Sequence, residues 1–227
     1  MEQVHEAAQP FYFYSRLNLV ELTGVKAKTA RQLLQGIRSA PDAAIYHHTH
    51  HFLQQHQYLS PEPPNDFAYW TTEILGDRLL GERLASVDIF QFSSLAAIRD
   101  AFVQCLRSSL KEGDLRRSAP PGQEFQFMKA ITFVLPTGHV AHNLAEFQEI
   151  LPEVTIHSLY FHIFEARLRL GKGTNDFSAW LEQSLGEVGL AQEISHLNPY
   201  THTMEGLRRR IIIAIQRRLK VLEVSSA

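Results

Sequence analysis

The sequence predicts a mainly α-helical protein built from two pseudo-equivalent helical units of an internal duplication, with a short N-terminal strand in each unit. Three observations predict it. Apolar residues recur at spacings of three and four over most of the chain. Asn65-Asp66-Phe67-Ala68-Tyr69-Trp70 returns 110 residues later as Asn175-Asp176-Phe177-Ser178-Ala179-Trp180. A content of 44% hydrophobic and 20% charged residues is that of a chain with enough apolar surface to fold.

The repeat runs well beyond this hexapeptide. The offset of 110 also carries Leu75-Gly76 onto Leu185-Gly186 and Leu80 onto Leu190. Pro41 and Ile45 match Pro152 and Ile156 at 111, while Phe11, Phe13, Thr23 and Gly24 match Phe125, Phe127, Thr137 and Gly138 at 114. Leu95, Ile98 and Arg99 match Met204, Leu207 and Arg208 at 109. A drift in one direction is what small deletions in loops produce. The expected units are residues 11–110 and 125–220. Residues 111–124, charged and then rich in Pro and Gly with no apolar period, form the linker.

Within a unit the elements follow in order. FYFYSRL and FQFMKAITFVL are aromatic and β-branched, which favours short strands. Ala27, Ala30, Leu33, Leu34 and Ile37 then lie at helical spacings, with Gly36 as a blemish. Pro41-Asp42 opens a second helix carrying Ile45, Tyr46, Phe52 and Leu53, and the prolines of SPEPPND end it. Asn65 or Asp66 caps a third helix that Gly76 closes. Phe67 and Trp70 share one side of it and are expected in the core. A short helix near Leu79–Ala85 and a longer one over Leu95–Leu110 complete the unit. The counterpart of the last, Met204–Leu219, carries a basic face of Arg208, Arg209, Arg210, Arg217 and Arg218, read as a solvated exterior.

Two strings carry a resemblance. IYHHTHHFLQQHQYLSPEPPNDFAYW in the first half and IHSLYFHIFEARLRLGKGTNDFSAW in the second resemble a domain family of bacteria and archaea that has no assigned function. The shared elements are NDFxxW…LG and YHHTHxFLQQH. The resemblance implies a helical, cytoplasmic protein and brings no activity, cofactor or catalytic residue with it.

Several function classes are disfavoured. A net charge of -2 speaks against a nucleic-acid partner. LTGVKAKTARQLL, residues 22–34, only faintly resembles a phosphate-holding helix-hairpin-helix turn. No segment has the length and apolarity to span a bilayer. The N-terminus lacks a signal-peptide pattern, so a cytoplasmic location is expected. Cys105, the single cysteine, sits in an apolar-periodic segment and reads as a buried free thiol. GxSxG, P-loop, GxGxxG and HExxH motifs are all missing. GKGTND, residues 171–176, reads as a turn.

Histidine is the chemical signal. The chain has 12, and His47, His48, His50, His51 and His56 fall within ten residues. On a helix, His47 and His51 stand on one face one turn apart, as two ligands of a divalent transition metal would. At the offset of 111, His51 falls on His162, which Glu165 follows by three. The expected metal set is therefore His47, His51, His162 and Glu165, with Tyr46, His48, His50, Gln55 and Arg167 lining a ligand pocket beside it. Imidazole titrates near neutrality, so binding there is expected to vary between roughly pH 5.5 and 7.5. His139 and His142 form a second pair at helical spacing, expected at the surface. Two functions stand open: a non-enzymatic binding or regulatory module with a small-molecule or protein partner, and a metal-binding protein or metal-dependent enzyme using the histidine helix.

Overall fold

The computed structural model describes residues 6–55, 64–110, 117–170, 174–197 and 202–226. The chain is mainly α-helical with one two-stranded sheet. Strand β1 runs over Glu6–Ala27 and is followed by α1 (Ala30–Ser39), α2 (Asp42–Gln55) and α3 (Asp66–Tyr69), which continues as a π-helical turn over Trp70–Ile74. Helices α4 (Arg78–Ala85) and α5 (Leu95–Ser109) precede β2 (Phe125–Asn143). Then come α6 (Leu144–Ile150), α7 (Ile156–Tyr160) with a π-helical turn over Phe161–Glu165, and α8 (Ala166–Leu170). Helices α9 (Asp176–Leu185), α10 (Val188–Ser195) and α11 (Met204–Ser226) close the order. No described helix is long and apolar enough to cross a membrane.

The strands are far longer than expected, 22 and 19 residues. They run antiparallel: Thr23 donates to the Phe127 carbonyl, Thr132 to Asn18 and Thr137 to the Phe13 carbonyl. Residues 22–27, which resembled a helix-hairpin-helix turn, belong to β1, so no helical hairpin forms there. His139 and His142 lie in β2, where positions three apart point to opposite faces, so they are not the helical pair their spacing suggested.

By contacts the chain divides into two units, and neither follows chain order. One unit takes β1 up to Leu17 together with the chain from Phe133 on; the other takes residues 18–56 and 60–132. We call them the C-terminal and N-terminal units after their helices. The start of β1 therefore completes the C-terminal unit. Phe11 packs edge-on against Phe147, Phe177 and Trp180 at ring distances of 5.3, 5.4 and 5.5 Å. The start of β2 completes the N-terminal unit, with Phe125 at 5.4 Å from Phe67 and 5.7 Å from Trp70. The boundaries 11–110 and 125–220 place both strand segments with the opposite set of helices. A repeat pattern defines which positions are alike. It does not define which copy of a strand meets which copy of the helices, because an exchange preserves every contact type.

Each unit is organised around its last helix. In the N-terminal unit α5 packs against α1, α2 and α4, burying Ile98, Phe102 and Leu106. In the C-terminal unit α11 packs against α6, α7 and α10, burying Leu207, Ile211 and Ile215. Asn65 and Asn175 cap α3 and α9 by accepting the Ala68 and Ser178 N–H groups. Gly186 ends α9 in the left-handed region at φ 69°, which glycine adopts without strain. Trp70 and Trp180 are buried, and their indole N–H groups donate to the Gln123 and Gln9 carbonyls. Gly36 is a requirement rather than a blemish, since a Cβ there would lie 2.2 Å from the Phe127 ring.

Three surface expectations change. Arg208 is buried and donates to the carbonyls of Leu151, Pro152 and Val154 after α6, as Arg99 does to Ile37 and Ala40 after α1. Arg218 holds Glu187 through two N–H groups, while Arg209, Arg210 and Arg217 are exposed, so the expected solvated face holds for these three. The linker is tied down at its end, where the Ala119 N–H donates to the Lys28 carbonyl. Residues 111–116 of the linker and 171–173 of GKGTND lie outside the described residues.

Candidate functional site

Helix α2 carries the histidines. Pro41 precedes it and Asp42 in its first turn complements the positive helix end. Every residue from Ala44 to His50 is buried, so nearly two full turns are enclosed on all sides. Polar groups in such a place must find partners.

His48 has one at each nitrogen. Nε2 accepts the Met128 N–H of β2 at 2.9 Å, and Nδ1 lies 2.8 Å from Asp66 Oδ2 at the start of α3. A neutral imidazole carries one N–H. With Nε2 accepting, the proton is on Nδ1 and is donated to Asp66. His48 thus joins a strand, a central helix and a helix start, and no lone pair is left for a metal.

His162 does the same in the C-terminal unit. Its Nε2 accepts the Tyr14 N–H of β1 at 2.8 Å, and Nδ1 reaches Asp176 Oδ2 at 2.7 Å. His162 therefore matches His48 rather than His51, an offset of 114 in place of 111. The carbonyls taken by Arg99 and Arg208 carry the same offset, Ile37 with Leu151 and Ala40 with Val154. At this offset Pro41 and Ile45 fall on Thr155 and Leu159 rather than on Pro152 and Ile156.

With this register the two units can be compared position by position. Tyr46 corresponds to Tyr160, His47 to Phe161, Thr49 to Ile163 and His50 to Phe164. All eight are buried. The N-terminal unit is polar at three positions where the C-terminal unit is apolar. Thr49 Oγ1 donates to the Ile45 carbonyl at 2.7 Å, so it is the acceptor for His50 Nδ1 at 2.8 Å. The His50 ring stacks on Tyr46 at 5.0 Å and an interplanar angle of 15°. His47 stands edge-on to His48 at 4.9 Å. One ligating atom each from His47, His48 and Asp66 lie within 4.8 Å of one another.

The C-terminal unit uses charge instead. Arg16 of β1 is buried, forms an ion pair with Glu165, and holds its guanidinium 4.7 Å from the Tyr160 ring centre. Burial lowers Arg16 to about 10 and pushes the enclosed Tyr160 hydroxyl upward. Position 130, which corresponds to Arg16, is alanine. Arg167 donates to the Ser195 carbonyl at 3.1 Å.

The expected site residues therefore fall into two groups. Tyr46, His47, His48 and His50 are buried together on α2 of the N-terminal unit. His162, Glu165 and Arg167 belong to the C-terminal unit, each held by partners there. The side chains of His51 and Gln55 lie outside the described residues, as does His56. Sequence reasoning missed Asp66, Asp176, Thr49 and Arg16. The signal for the two aspartates was present: each follows an asparagine cap in the repeated NDF element, and a buried histidine needs such an acceptor.

The fold and site define a class: a mainly helical protein of two strand-completed units, each latched by a buried His–Asp pair. The chain belongs to the DUF5752 family, a family of unknown function, whose pattern matches residues 8–216. It is similar to the solved structure of OrfY from Thermoproteus tenax, with 30% identity and a TM-score of 0.81 over 93% of this chain and 96% of that one. No curated protein matches the sequence.

Proposed function

We propose that the protein is a non-enzymatic binding or regulatory module made of two internally duplicated helical units, and that binding is carried by the N-terminal unit at Tyr46, His47, Thr49 and His50. One observation carries this reading. At positions fixed by shared contacts, His47, Thr49 and His50 stand where the other unit has Phe161, Ile163 and Phe164. The scaffold completes the His–Asp latch with apolar neighbours in one unit, so the polar neighbours in the other are not needed for folding. Polar groups kept in a core at the expense of apolar burial mark function more often than architecture.

Giving the N-terminal unit its sister's residues tests this. The triple variant His47→Phe, Thr49→Ile, His50→Phe should keep the fold and melt no lower than wild type, with a gain of up to about 2 kcal/mol where a functional polar cluster is removed. A fall of more than about 5 °C in thermal midpoint would make the three residues structural.

A further inference from the structure

Within that binding unit, we propose that His47 and Asp66 bind a divalent transition-metal ion, with His48 as the residue that positions the Asp66 carboxylate. The inference rests on the reading of α2 given above and adds the class of ligand. Its first support is the donor set. The His47 imidazole and the Asp66 carboxylate present ligating atoms within 4.8 Å of each other, and this pair of nitrogen and oxygen donors suits zinc, cobalt or nickel.

The second support is the division of labour that proton placement imposes. His48 has both nitrogens engaged, so it does not ligate. Its Nδ1–H holds one oxygen of Asp66, and a carboxylate has further lone pairs to offer. A ligating carboxylate is usually held by a hydrogen bond from an outer side chain, the part His48 plays here. The Asp66 side chain is 34% exposed, which gives an ion a way in, while His47 is 3% exposed. Water completes the coordination from the Asp66 side.

The third support comes from the other unit. There the same latch, His162 with Asp176, has Phe161 in place of His47, and Arg16 is buried and paired with Glu165, three residues from His162. The N-terminal unit has Ala130 at the position of Arg16, a side chain with no charge to repel a dication. Of the two latches, one has a second ligating side chain beside its aspartate and lacks the competing charge; the other has neither feature.

The test uses the full chain, stripped of metal by chelator and titrated with Co2+ alone, read by visible absorbance and confirmed with Zn2+ in competition. The expected result is one Co2+ per chain, with affinity reduced at least about tenfold in His47→Phe. Asp66→Asn, which keeps an oxygen for His48 Nδ1–H, is the second variant and should weaken binding similarly. His139→Asn, in β2, should leave it unchanged. Sub-stoichiometric binding by wild type, or unchanged affinity in both His47→Phe and Asp66→Asn, overturns the metal proposal. If the triple variant still melts at or above wild type in that case, the binding reading of α2 survives with another ligand. A collapse of its melting point removes both.

Discussion

Replacing His48 by Phe removes the latch of the N-terminal unit while keeping a ring in its place. Two hydrogen bonds go. The Met128 N–H loses its acceptor, and a buried or half-buried donor left unpaired costs about 1–3 kcal/mol. Asp66 loses its N–H donor, but its side chain is a third exposed and water replaces much of that bond, so this part stays below about 1 kcal/mol. The sum is about 1–4 kcal/mol, and at about 2–4 °C per kcal/mol for a chain of this size the midpoint should fall by roughly 2–16 °C. His162→Phe should fall further, because Asp176 is only 16% exposed and water reaches it less. Amide hydrogen exchange makes the assay local. In His48→Phe the Met128 amide should exchange faster while that of Tyr14 keeps its protection, and His162→Phe should reverse the pattern. A variant that neither lowers the midpoint nor exposes its own strand amide would refute the latch.

Two further outcomes follow from packing and burial. Gly36→Ala should destabilise by about 1–3 kcal/mol in chemical denaturation, since its methyl would lie 2.2 Å from Phe127, a buried ring that packs against Phe125. The Cys105 thiol is pushed above its ordinary value by burial, so at pH 8 it carries less thiolate than a free cysteine; alkylation should be slower than for a model thiol and should accelerate on unfolding.

Much of this was legible in the residues. The asparagine caps, the buried tryptophans and the glycine stop of α9 follow from local chemistry that needs no knowledge of the rest of the fold. The length of the strands was not legible, because LNLVELTGVK in β1 is exposed on both faces for most of its run and shows no clean alternation. Nor was the register of α2 against α7. Two residue types favoured 111, and the contacts of His48 and His162 and the carbonyls held by Arg99 and Arg208 give 114. That slip of three residues moved the match of His162 from His48 to His51 and gathered into one expected site residues that serve two units.

The corrected register is what gives the histidines meaning. Taken alone, a buried run of His47, His48, Thr49 and His50 is ambiguous, since any of them can be a satisfied core residue. Set beside Phe161, His162, Ile163 and Phe164, the run separates into one conserved contact and three substitutions. Each exchange of a buried apolar side chain for His or Thr places polar atoms in the core that must be desolvated and paired. Thr49 uses its hydroxyl proton on Ile45 in its own helix, a bond that joins no two elements of the unit. A scaffold able to close with Phe and Ile at these places, and closing with His and Thr instead, gives up stability in one unit that it keeps in the other. That difference in buried polarity between α2 and the Phe161–Phe164 segment is the ground on which the proposed binding site is placed on α2.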